Sequence, residues 1–265
     1  MSGFALLFFQ HPSLLQFQRA MQQKRRRCNL QTLFGVHDVP ADTQMREILD
    51  GVKPEGLRSL LPQLWEKVRR AGWSNRFTTT LPTGQQQGPY YTVVLDGSEY
   101  VHSTTIQCPH CLRQPDPKGR MHYSPVVVGA TLVRAGSHQV LPLDAEEVRN
   151  PTADNHPQDC ALTAGKRLIA RLRREHPQRA LMVIGADLYS HAPFVEQLQQ
   201  LRLHYVRVAK PASHPTLMAA VAAAAEKGVS QQGQWDEGSG TRQRRYTYRI
   251  VRELPLALES PVRVT

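Results

Sequence analysis

Two stretches of this sequence run an apolar segment straight into an aspartate: YTVVLDGSEY at Tyr91–Tyr100 and ALMVIGADLYSH at Ala180–His191. Each is short and apolar, the pattern of a buried strand. Taken singly, either acid has an ordinary explanation. Asp96–Gly97 is a good turn dipeptide, and Asp187 can cap the helix that follows Ser190. Taken together they admit a second reading, in which both carboxylates emerge at the carboxyl edge of one sheet. If the strands are neighbours, the two acids come within reach of shared cations. Magnesium and manganese take hard oxygen ligands and bridge phosphates, so paired carboxylates suit two-metal phosphoryl chemistry.

The charge agrees with a phosphate-bearing partner. Lys and Arg total 33 against 22 Asp and Glu, a net charge of +11, which favours nucleic acid over a merely basic soluble protein. The four cysteines, Cys28, Cys108, Cys111 and Cys160, are too few and too unevenly placed for a secreted disulfide framework, so a reducing cytoplasm is expected. The apolar burst Phe4–Phe9 lacks a basic leader and a small-residue cleavage site. It is far too short to cross a bilayer and reads as a core-facing helix segment, and no other stretch is expected to span a membrane.

Residues 1–80 read as helical. QFQRAMQQKRRRC is a strong helix former whose basic end, Lys24–Arg27, fits either the helix or a solvated cap. In VPADTQMREILDGV, Asp42 or Thr43 caps a helix with Glu47 in its first turn and Ile48 and Leu49 as the buried face. EGLRSLLPQLWEKVRRAGW sets Leu57, Leu60, Leu61, Leu64, Trp65 and Val68 at helical spacing, with Pro62 kinking or splitting it. TTTLPTGQQQGPY is the expected boundary. Residues 81–228 then alternate: strands at 90–95, 123–133 and 138–142, a helix at 159–175, a strand at 180–185, a helix at 194–201, a strand at 204–208 and a helix at 215–227. That order predicts an α/β core with a mixed sheet. Residues 229–265 return to strand spacing around a Gly-Ser turn and read as an added hairpin.

Three further groups carry chemistry. Cys108 and Cys111 have the CxxC spacing of a zinc knuckle. His102 and His122 on flanking strands, or the more distant Cys160, would complete it; the other reading is a hairpin tip with free thiols. In GKRLIARLRREH, Leu168, Ile169 and Leu172 form the inner face, which turns Lys166, Arg167, Arg171, Arg173 and Arg174 outward, to DNA or simply to solvent. In TRQRRYTYR, alternation puts Arg245, Thr247 and Arg249 on one face and Tyr246 and Tyr248 on the other, with Arg244 and Arg245 suited to phosphate. Lys210 and His214 follow a strand near the two acids and suit either phosphate contact or solvation.

On these residues the chain resembles the DDE transposases of bacterial insertion sequences, in the group with a β-rich insertion before the last catalytic acid. The resemblance rests on LDGSEY with Asp96, CPHC at Cys108–Cys111, PQDCALTAGKR around Asp159–Arg167, GADLYSHAPF with Asp187 and VAKPASHPTL at Val208–Leu217. GVHDVPADTQMREILD is similar to the helical region that precedes the catalytic core, and the match covers nearly the whole chain. It implies an RNase H-like mixed sheet flanked by helices, preceded by the helical region and ending in part of the β-rich insertion. It also implies that Asp96 bridges two Mg2+ or Mn2+ ions and Asp187 holds one of them. Members cut double-stranded DNA at the element's ends with water, then join the freed 3′ hydroxyl to target DNA, working as homodimers.

The family's third acid is a glutamate on a helix within a Tyr…Arg…Glu…Lys signature. Glu226 lies 39 residues after Asp187 (226 − 187), a spacing other DDE integrases use, yet it falls in the last turn of its helix beside Lys227 and Gly228. Glu253 falls on a strand with no lysine spaced after it, and Glu237 and Glu259 fit no better. The expectation is therefore that the third acid is absent, that the reading frame stops inside the insertion, and that the chain does not catalyse transposition. A second reading is a non-catalytic DNA-binding remnant that competes with an intact transposase. A third is an unrelated RNase H-like nuclease.

Overall fold

The computed structural model describes the chain apart from residues 81–87, 106, 109, 151–158, 239, 241–242 and 258–259, and apart from the side chains of residues 24–28 and 54. The stretch expected to form the boundary thus lies largely outside the described residues, as does Glu259. The chain divides into two compact units, Met1–Leu60 and Leu61–Thr265.

The first unit is helical: α1 (Ser2–Phe8), α2 (Leu14–Met21), α3 (Lys24–Phe34), α4 (Asp42–Asp50) and α5 (Pro54–Arg58). Ser13 caps α2 by accepting from the Gln16 amide, and Gly35, at φ 62°, closes α3 in the left-handed conformation that a Cβ disfavours. Phe17, Leu30 and Met45 are its largest fully buried side chains. Two expectations change here. Ala41 rather than Asp42 or Thr43 is the N-cap of α4, and Met45, not Ile48, is the residue the helix buries. In the N-terminal burst only Ala5 is fully buried, while Phe4 and Phe8 lie exposed in an aromatic cluster with Phe9 and Phe34.

The second unit opens with α6 (Leu60–Arg70). Ser59 follows α5, so the break precedes Pro62, which sits in the first turn of α6 where its missing N–H has no partner to lose. Of the apolar series only Trp65 is buried, edge-on to Tyr91 at 5.4 Å, and Leu60 and Leu64 remain exposed. Next come β1 (Thr78–Thr79), β2 (Tyr90–Glu99), β3 (Leu112–Pro115), β4 (Met121–Ser124), β5 (Val126–Leu132) and β6 (Leu141–Val148). Then α7 (Ala161–Glu175), β7 (Leu181–Gly185), α8 (Ala192–Gln200), β8 (His204–Arg207) and α9 (Pro215–Glu226) alternate. Two small ladders end the chain, β9 (Gln231–Glu237) with β10 (Arg244–Ile250) and β11 (Leu254–Pro255) with β12 (Arg263–Val264).

The main sheet has the order β6-β5-β2-β7-β8, with β1 on β2. β2 is antiparallel to β5, and β5 to β6, whereas β2, β7 and β8 run parallel. The result is a mixed sheet flanked by helices. Parallel neighbours need a crossover, and α7 and α8 supply them. α7 buries Leu168, Ile169 and Leu172 against the sheet, the inner face the spacing predicts, each removal from water stabilising by roughly 1.5–3 kcal/mol. Gly165 lets Tyr189 and Phe194 pack close, since a Cβ there would meet the Tyr189 ring at 2.8 Å.

Sequence and structure part company at three strands. The single strand expected at 123–133 is β4 and β5, separated at Pro125, which cannot donate to a ladder. β3, unanticipated, pairs with β4. The third core strand runs from Leu141 to Val148 rather than 138–142, and within it the β5–β6 register shifts by one residue at Ala130/Thr131. This bulge turns Asp144, Glu146 and Val148 inward where simple alternation from Leu141 and Leu143 would turn them out. Among the described residues no helix is long and apolar enough to cross a membrane.

Candidate functional site

The parallel pairing of β2 with β7 ends at Leu95 opposite Gly185. Asp96 is the next residue on one strand, and Asp187 lies two beyond the pair on the other. Neighbouring strands are about 5 Å apart, so both acids leave the same edge of the sheet from adjacent strands. Asp96 does not end its strand, as the apolar run suggests. β2 continues to Glu99 because β5 goes on pairing with it after β7 has finished. Asp96 is exposed and accepts from the Gly97 amide at 2.9 Å.

Asp187 is held from the loop after β8. It accepts from the Lys210 amide at 2.7 Å and from the Ser213 hydroxyl. His214, itself buried, brings Nε2 to 3.2 Å from Asp187 Oδ1, close enough for charge interaction but too far off line for a hydrogen bond. The Ser213 hydroxyl, then the Lys210 amide and the nearby His214 and Lys210 charges, hold the Asp187 carboxyl below the usual carboxylate range. His191 stacks on His214 at 5.1 Å between ring centres. Tyr189, buried behind the edge, has its phenol pushed up to about 12 by burial and then by the Asp96 charge. Ser213 and Tyr189 are site residues that the sequence reading passed over. The signal for Ser213 was its place in the KPASH loop beside Lys210 and His214.

Two carboxylates of hard oxygens, one exposed and one preset by Ser213 and Lys210, fit a hydrated magnesium or manganese ion in donor type. Among the described residues no group of three or more His, Cys, Asp or Glu is placed to hold a metal. Glu226 is exposed at the far end of α9, twelve residues beyond His214 and about 18 Å along the helix. Glu253 lies in a turn after β10, at φ 58°, rather than on a strand.

The expected zinc ligands are otherwise engaged. Cys108 and Cys111 are joined as a disulfide, in which neither sulfur is a thiolate ligand. His102 and His122 bond to each other, Nε2 to Nδ1 at 2.7 Å, while His102 meets Glu99 at 2.6 Å and His122 meets Asp116 at 3.4 Å. Cys160 occupies the N-cap position of α7 without a side-chain capping bond to the backbone, its Sγ lying 3.4 Å from Thr163 Oγ1.

The basic residues sort into two kinds. Lys210, Arg174 and Arg244 are exposed, and Lys166 is partly so. Arg167 and Arg171, which helical spacing turns outward, instead reach across to β6 and to the start of α7. Arg167 binds Glu146 at 2.8 Å and Asp159 at 2.8 Å; Arg171 binds Asp144 and, at 2.7 Å, Glu146. The bulge that points Asp144 and Glu146 inward is the cause. Arg173 donates to the carbonyls of His176, Pro177, Arg179 and Arg202. On the last hairpin Arg245 pairs with Asp236 at 2.9 Å, while Tyr246 stacks on Trp235 at 4.9 Å on the other face, as the alternation predicts. Compared with protein-family models and with curated proteins, the chain matches none.

Proposed function

We propose that this chain is the RNase H-like core region of a DDE-type transposase of a bacterial mobile element, with double-stranded DNA as its partner. One observation carries the reading: Asp96 and Asp187 leave adjacent parallel strands at one edge of a mixed sheet built in the order β-β-β-α-β-α-β-α. The net charge of +11 supports a phosphate-rich partner. Mg2+ or Mn2+ bound between the carboxylates would stabilise charge on the attacking and leaving oxygens of a phosphodiester. The chain's own part is to position. Ser213 and the Lys210 amide fix the Asp187 carboxylate, and the Lys210 amine stands ready for a phosphate oxygen. Lys166, Arg174 and Arg244 extend the basic surface available to the duplex, and Arg167, Arg171 and Arg245 reach it only by sharing their carboxylate partners. Zinc would bind Cys108 and Cys111 only in the reduced state. The setting that matches this activity is the cytoplasm, with a second copy completing the working transposase.

Two acids without a third beside them among the described residues leave one metal short of a fixed ligand, and displacing a reacting group by even about 1 Å costs on the order of 10²-fold. This chain is therefore expected to bind metal and DNA without cleaving an element end. The distance of Glu226 from Asp187 equally favours a second reading, a non-catalytic remnant that competes with an intact transposase for DNA. The test is Mn2+ binding by calorimetry, with cleavage of a labelled duplex alongside. Asp96→Asn and Asp187→Asn should each weaken binding at least severalfold; undiminished binding in both removes the site. Cleavage that is lost in Glu226→Gln would make Glu226 the third acid.

A further inference from the structure

His102 and His122 meet through one ring nitrogen each and turn the other to a carboxylate. His102 Nδ1 lies 2.6 Å from Glu99 Oε1, and His122 Nε2 lies 3.4 Å from Asp116 Oδ2. The two remaining nitrogens, His102 Nε2 and His122 Nδ1, face each other at 2.7 Å. Separate segments supply the group. Glu99 ends β2, His102 precedes the bridge between Ser103 and Tyr123, Asp116 follows β3 and His122 lies on β4. Asp116 is fixed by its own turn, where it accepts from the Lys118 and Arg120 amides at 2.8 and 2.9 Å. The His102 contact holds the Glu99 carboxyl below the usual carboxylate range, and the Arg120 amide is the main cause of the same for Asp116. Both carboxylates then only accept, and the ring nitrogens facing them donate.

With those nitrogens as donors, each neutral ring presents a bare lone pair at its second nitrogen. Two lone pairs at 2.7 Å repel, so a single cation must sit between them, either a proton or a metal. Histidines that ligate metals have the same outer arrangement, with the second ring N–H donated to a carboxylate. Imidazole suits zinc, which takes nitrogen at about 2.0–2.1 Å, so two tetrahedral ligands stand roughly 3.3 Å apart. The pair therefore has to open by only about 0.6 Å, and the His102 side chain, 59% exposed, has room to move. Among the described residues no third His, Cys, Asp or Glu is placed to join them, so water completes the coordination.

We propose that His102 Nε2 and His122 Nδ1 bind a zinc ion, with Glu99 and Asp116 orienting the two rings from their far nitrogens. On binding, the shared proton leaves to solvent and Zn2+ accepts one lone pair from each neutral ring; no oxidation state changes. The site uses neither the sheet-edge acids nor the cysteines, so it does not depend on the proposed DNA chemistry. The probe is Zn2+, titrated by calorimetry into the 265-residue chain with its disulfide intact and excess Mg2+ present to occupy the sheet edge. A single saturable site is expected, with a rise in melting temperature because the metal ties β4 to the segment after β2. His102→Gln and His122→Gln should each weaken binding about tenfold or more. Glu99→Gln, which keeps both ligands but changes the outer acceptor, should weaken it by about tenfold. His138→Gln and Cys160→Ser, both at exposed positions, should leave it intact. His102 is exposed, so its variant carries the test should His122→Gln fail to fold. No saturable site, or binding unchanged in His102→Gln, would overturn the proposal. Binding seen only after the disulfide is reduced would move the metal to the cysteines and overturn it equally. Undiminished binding in Glu99→Gln would overturn the carboxylate's part.

Discussion

The arginines of α7 and those of the β9–β10 hairpin look alike as sequence, GKRLIARLRREH against TRQRRYTYR, and the fold uses them in opposite ways. On α7, Arg167 and Arg171 close a network with Asp144, Glu146 and Asp159, and the Asp144 side chain is only 4% exposed. On the hairpin, Arg244 and Arg249 stand in solvent and Arg245 meets only the half-exposed Asp236. A cation's role is thus set by the backbone opposite it. Where a bulge turns acids inward, arginine becomes part of the core's edge; where a two-stranded ladder is wet on both faces, it stays available to phosphate. The net charge of +11 overstates the cationic surface that is free to meet a phosphate-bearing partner.

The sharpest way to break this contrast is Arg171→Met, which leaves Asp144 and Glu146 buried against an apolar side chain. It should destabilise by about 3–5 kcal/mol in chemical denaturation. A loss below about 1 kcal/mol would mean that the network behaves as a surface pair. Arg167→Met, at a more exposed position, should cost less, about 1–2 kcal/mol. Its pH dependence sharpens the point. Burial alone would raise the Asp159 carboxyl, but hydrogen bonds from Arg167 and the Arg149 amide outweigh it and hold it below the usual range. A depressed folded pKa contributes stability above the unfolded carboxylate value and loses it as pH falls through the folded one. Wild type should therefore lose stability between about pH 5 and pH 3 more steeply than Arg167→Met. Smallest in stability is the pair Arg244→Ala and Arg249→Ala, expected within about 0.5 kcal/mol of wild type. In DNA binding the same pair should lower the slope of log affinity against log salt by about two. An unchanged slope would take the hairpin out of the proposed DNA-binding surface.

Much of the site was legible because its signals are local. Apolar runs located β2 and β7, their following aspartates marked the edge, and the periodicity of α7 named Leu168, Ile169 and Leu172. The Ser213 and His214 contacts to Asp187 lay in a loop the sequence had already placed nearby, yet nothing in it fixed which side chain would turn back. Arg207 carried a faint signal, a cation in the otherwise apolar run Tyr205–Ala209, that periodicity alone reads as an edge position.

By itself, then, the sequence determined the mixed α/β order, the two acids beyond their apolar runs and the inner face of α7. These depend on periods of two and 3.6 residues that neighbours along the chain enforce. Only the tertiary structure decided that β7 lies beside β2, that β6 carries a bulge, and that Arg167 and Arg171 bind β6 while the Arg207 guanidinium finds no acceptor among the described residues. Those outcomes depend on register between strands distant in sequence, where a shift of one residue exchanges the two faces of a strand.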